Sequence, residues 1–124
     1  MDQLQELEDT FIEEYEAACL LFELEKKKSA IILFAKAMFA LLDYLIYKSY
    51  KKLPKNHEER FRILEIKKQE IYLIVDKIWK KYTDTYSKPG VKEAGEQFKK
   101  TIQEIIQQEN ENISQRIKNS TQKK

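Results

Sequence analysis

Two glycines and two prolines in 124 residues leave little of the turn chemistry that a multi-stranded β-fold requires. Those glycines, Gly90 and Gly95, cannot build a P-loop or a dinucleotide fingerprint. A single cysteine excludes an internal disulfide framework. With no signal peptide at the start, the chain reads as intracellular, in the cytoplasm. One histidine and one cysteine cannot supply a structural zinc site of the usual Cys/His sets. A di-iron bundle needs several Glu and a Glu-x-x-His pair, yet the residue three before His57 is Pro54. No metal and no cofactor is therefore expected. Cys19 lies in the apolar run Ala17-Ala18-Cys19-Leu20-Leu21 and reads as a small buried hydrophobe. A serine or cysteine nucleophile would have to use His57 as its base, and nothing in the sequence brings Cys19 near it. Glu58 and Glu59 are adjacent and point to different faces of a helix, so spacing does not make them an acid/base pair.

What remains is apolar and charged: 42% hydrophobic and 35% charged residues, in a chain long enough for one domain and too short for two typical ones. The net charge of +2 hides an asymmetry. Residues 1–25 hold nine acids and no Lys or Arg, which leaves 23 basic and 12 acidic groups in the other 99 residues. Such a split favours packing the first helix against a basic part of the chain, or against a second copy of it. Of the basic residues only Arg60, Arg62 and Arg116 are Arg, a bias away from the bidentate fork that reads phosphates.

Apolar positions at steps of three and four predict the elements. Leu4, Leu7, Phe11, Tyr15, Ala18 and Phe22 form one stripe on a helix from about Asp2 to about Lys26. Lys26-Lys27-Lys28 suit its negative end, and Ser29 fits the cap of the next helix. From Ala30 to Tyr47 only Lys36 and Asp43 are not apolar, a length that invites a membrane span. Each charge would cost about 2.5–3.5 kcal/mol at the centre of a span. A central buried helix is the better account. Lys36 and Asp43, seven apart, share a face with Ala40 and Tyr47. Pro54 ends this segment, and Asn56 with Glu59 fits an N-cap and its reciprocal acid for a helix from His57, with Phe61 and Leu64 inward. Lys67 to Glu70 is a polar joint that can break that helix.

Ile71, Ile74, Val75, Ile78, Tyr82 and Tyr86, with Trp79 beside them, predict a further helix stopping before Lys88-Pro89-Gly90. A last helix carries Val91, Ala94, Phe98, Ile102 and Ile105, reaching Ile113 and Ile117. The expectation is an all-α, up-and-down bundle of about four to five helices over residues 1–118, with a disordered tail at 119–124.

Between Lys48 and Lys68 eight basic residues face three acids, with Tyr47, Tyr50 and Phe61 interleaved. Cations beside aromatic faces suit a phosphate-rich or single-stranded ligand, although lysines at helix ends and tyrosines in a core produce the same pattern. The run from Ala35 to Tyr44 (AKAMFALLDY), then Leu53 to Arg62 (LPKNHEERFR), then Ile71-Tyr72 to Val75-Asp76 and Tyr82 to Tyr86 (YTDTY), resembles the HEPN superfamily, the higher eukaryotes and prokaryotes nucleotide-binding domain. Small archaeal-type members are the nearest in pattern. The resemblance covers roughly residues 10 to 105.

It implies a four- or five-helix up-and-down bundle, commonly a homodimer. Such domains are either ribonuclease toxins, often neutralised by a nucleotidyltransferase-type partner, or non-catalytic nucleotide- or RNA-binding modules. The ribonucleases carry Arg, four to six residues, then His. Here Lys51, Lys52 and Leu53 precede His57 with no Arg in register, and Thr85-Tyr86 stands where many relatives have Arg-Tyr. The expected function is accordingly non-catalytic binding of a nucleotide, RNA or protein partner, as in a toxin–antitoxin-type module. Lys52, Lys55, His57 and Arg60 are its phosphate and polar contacts, and Lys36, Asp43 and Tyr47 line the nearby face. Two alternatives stand beside it. One is a weak metal-independent ribonuclease with His57 as acid/base and Lys52 or Arg60 on the phosphate. The other is a purely protein-binding helical dimer, with the acidic first helix meeting the partner.

Overall fold

The computed structural model describes residues 2–85 and 91–122, without the side chains of 82–85, 91 and 92. The expected stop before Lys88-Pro89-Gly90, and the core roles of Tyr82, Tyr86 and Val91, lie outside what it describes. The described residues form α-helices, one 3₁₀ turn and no strand. The helices are α1 (Gln3–Glu23), α2 (Lys27–Tyr50), α3 (His57–Lys67), α4 (Gln69–Thr85), α5 (Val91–Gln108) and α6 (Gln115–Gln122), one more than the upper expectation.

The central element is α2. It packs on α1, α3 and α5, and its buried face includes Phe34, Met38, Leu41, Leu42 and Leu45. By length and hydropathy alone it could cross a membrane, but 72% of its apolar window is buried inside the protein. α1 lies along it with Phe11, Tyr15, Ala18 and Cys19 inward. α4 packs on α3 and α5, and α6 returns to α1. The Tyr15 hydroxyl is buried beside Cys19 and Gln103 without completing a hydrogen bond among the described residues, and burial raises its pKa. Gly95 marks a close approach of α5 to α1, since a Cβ there would sit 2.5 Å from a ring carbon of Phe22.

The joints differ from the sequence expectation in instructive ways. α1 ends at Glu23, not Lys26, and Ser29 lies inside α2 rather than capping it. Lys26 N–H donates to Leu21 O at 2.9 Å and Glu25 N–H to Phe22 O at 3.2 Å, the double bond pattern of a Schellman cap. Glu25 takes the left-handed conformation there (φ 66°), the place where glycine is usual. The joint after Lys67 is a true break. Lys68 leaves the helical region, and its ammonium reaches Glu109 at 3.0 Å with both side chains nearly buried. Glu109 also accepts from Asn112 Nδ2 at 2.9 Å.

The single last helix expected to reach Ile117 is two. A 3₁₀ turn at Asn110–Asn112 separates α5 from α6, held by Lys48 Nζ donating to Asn112 O at 2.8 Å. α6 runs through Gln122 with Ser120 and Thr121 buried, four residues past the boundary expected at 118.

Candidate functional site

Asn56 accepts from Glu59 N–H at 2.9 Å, as its spacing predicts. Glu59 reaches back one residue further, taking Lys55 N–H at 2.9 Å. This cap fixes His57 as the first residue of α3 and sets Arg60 one turn on, toward α2. Asp43, the lone acid in an apolar helix, is met there by Arg60 in a two-pronged contact, Nε to Oδ1 at 2.7 Å and Nη2 to Oδ2 at 2.9 Å. Their side chains are 10% and 17% exposed, so the pair is largely withdrawn from water. Losing one partner of such a pair costs about 3–5 kcal/mol, because the other charge is left buried.

The third guanidinium nitrogen decides the state of the histidine. Arg60 Nη1 lies 2.6 Å from His57 Nδ1. A guanidinium can only donate, so Nδ1 accepts and the ring proton sits on Nε2. Burial, and the Arg60 charge after it, lower the His57 pKa, while Asp43 pulls the other way. His57 is thus held neutral as an Nε2–H donor. Its ring packs against Phe39 at 4.4 Å and Trp79 at 5.4 Å between centroids, and the Arg60 guanidinium lies 4.9 Å from the Phe39 centroid.

These groups line a cleft of about 440 Å³ between α1, α2, α3 and α4. Phe39, Ala40 and Trp79 give it apolar surface, and Lys36, Asp43, His57 and Glu14 bring polar chemistry. Lys36 is exposed and forms no ion pair among the described residues. Glu14 has a raised pKa from burial, opposed by the charge of Lys36. Such a space has the size and mixed lining of a small-ligand site. Among the described residues no three His, Cys, Asp or Glu converge on a common point.

Of the residues expected to bind, Lys36, Asp43 and His57 line this cleft and Arg60 stands behind them. Tyr47, Lys52 and Lys55 do not. Lys52 belongs to a second groove on the other side of α3, Tyr47 lies under Lys51, and Lys55 is exposed at the cap. The basic stretch from 48 to 68 is also less open than it reads. Lys48, Arg60 and Lys68 are spent on internal contacts. Sequence reasoning missed Glu14, Phe39 and Trp79. Trp79 was legible only as a core neighbour, and Glu14 as one acid among nine. No family model, no curated protein and no solved structure matches the chain.

Proposed function

We propose that the chain is a HEPN-like, non-catalytic cytoplasmic binding domain, an up-and-down bundle whose α1–α4 cleft takes a nucleotide, free or as one unit of an RNA strand. The observation that carries this is the placement of a cation, Lys36, and a fixed neutral donor, His57, around the aromatic surface of Phe39 and Trp79. A base stacks on rings, a phosphate pairs with an exposed ammonium, and a carbonyl or hydroxyl oxygen accepts from Nε2–H. Glu14 can take a hydrogen bond from a sugar hydroxyl or an exocyclic amine.

Binding is favoured over cleavage by the same geometry. A ribonuclease histidine must pass between its neutral and protonated forms, and its arginine must face the phosphorane. Here Arg60 occupies His57 Nδ1, and Asp43 occupies the fork of Arg60.

The chain has one tryptophan, and it lies in the cleft, so its emission reports occupancy directly. Titration with adenosine monophosphate and with a short single-stranded RNA is expected to change Trp79 emission, weakly at high salt. Lys36→Glu should weaken both by about tenfold or more, the loss of a charge-assisted phosphate contact. Unchanged emission with either ligand rejects the reading. RNA shortened by the wild type, and left intact by His57→Ala, would replace it with the ribonuclease alternative.

A further inference from the structure

On the far side of α3 from the cleft is a second groove, of about 480 Å³, between the end of α2 and the outer face of α3. Its apolar surface includes Tyr50, Ile63 and Ile66, and Ile66 and Tyr50 are 69% and 42% exposed. Lys52, Arg62 and Lys67 bring three cations to it. Two acids also line it. Glu59 is engaged with the Lys55 amide and near Lys52, whereas Glu58 stays at the rim. Exposed apolar side chains ringed by cations ask for a partner that is apolar and acidic at once.

The same molecule presents such a surface. The inner face of α1 is committed to α2, and its outward positions fall on one stripe: Glu13, Glu16, Leu20 and, at the cap, Leu24. Leu20 and Leu24 are 56% and 57% exposed, and neither Glu13 nor Glu16 has an ion pair among the described residues. At 1.5 Å per residue the stripe runs about 16 Å, against about 14 Å for α3 from Glu58 to Lys67.

We propose that the groove receives the acidic outer face of α1 from a second copy of this chain. Because α1 is anchored by its inner face, only another molecule can offer that stripe. Leu20 and Leu24 cover Tyr50, Ile63 and Ile66, and Glu13 and Glu16 meet Arg62 and Lys67. When each copy fills the other's groove, a two-fold dimer closes with no groove left open. The cleft lies on the other side of α3, so this inference does not depend on the nucleotide reading.

Light scattering on the purified full chain is the test, with reversed charges on either face. The wild type is expected at twice 14.9 kDa at micromolar concentration. Glu13→Lys with Glu16→Lys, and separately Arg62→Glu with Lys67→Glu, should each weaken the dimer about tenfold or more by opposing like charges. All four sites are exposed, and circular dichroism checks that the helices persist. Mixing the two reversed variants, or combining all four changes in one chain, should restore the dimer. A wild type that stays at 14.9 kDa overturns the proposal. So does association that neither reversal weakens, or weakening that the combined variant fails to rescue.

Discussion

His57 shows how a single side chain reads differently alone and in place. By sequence it is the only imidazole, three positions after a proline, and its residue type suggests a proton shuttle. In the fold its Nδ1 is occupied by Arg60 and its ring is pressed among Phe39, Phe61 and Trp79. The consequence for pH has a definite sign. The folded pKa lies below the ordinary value of roughly 6.5, so the unfolded chain binds the proton more readily. The stability this contributes is present above that value and is lost as pH falls through the window beneath it. Glu14, with a raised folded pKa, works oppositely, gaining stability as pH falls toward the ordinary carboxylate range. In a Glu14→Gln background, denaturant midpoints are therefore expected to fall between pH 7 and pH 5. Replacing His57 with Gln should flatten that part of the profile. Nitrogen NMR of the one histidine should show the Nε2–H tautomer at neutral pH, and a dominant Nδ1–H form would refute the Arg60 contact.

Helix existence was legible wherever the apolar spacing was strong, and helix ends were legible where a side chain does the capping. Asn56 and Glu59 announce the start of α3, and the pattern Ile71, Val75, Ile78 announces α4. The end of α1 carries no such signal. Its cap is made by backbone bonds, and the left-handed position is filled by Glu25 rather than by glycine. A non-glycine residue in that conformation costs about 1–2 kcal/mol, and part of any gain from glycine is returned by the freer unfolded chain. Glu25→Gly is thus expected to stabilise the protein by about 0.5–1 kcal/mol. The Glu25–Lys27 contact it removes is exposed and weighs little. A higher urea midpoint with an unchanged slope would show it. Ser29→Ala should leave the midpoint in place, because Ser29 stands inside α2 and caps nothing. A loss there instead, with no gain at Glu25, would place the joint where the lysine run suggests.

For the whole molecule the charge asymmetry was readable and its resolution was not. Nine acids in the first 25 residues require cations nearby, but nothing in a linear chain says that Arg116, more than a hundred residues on, meets Glu8 and Asp9 at 2.7 Å. The same holds for Ile113 and Ile117. Their step of four fits a continued α5, and only the turn held by Lys48 and Asn112 directs them back toward the core. The short α6 is therefore part of the cooperative unit, joined to α1 by apolar burial and by the ion pairs of an exposed arginine. Each buried isoleucine contributes about 1.5–3 kcal/mol, so ending the chain at Asn112 should cost about 3–6 kcal/mol. That is a large share of the 5–15 kcal/mol typical of a domain. The thermal midpoint should fall by roughly 10–30 °C. Arg116→Ala should shift it less than the truncation does, since the arginine and its partner Asp9 are exposed and only Glu8 is withdrawn from water. If the arginine change matched the truncation, α6 would be held by charge, with its two isoleucines contributing nothing. If neither moved the midpoint, residues 113–122 would lie outside the folding unit, and the domain would end at about residue 112, short of the boundary at 118 expected from the sequence.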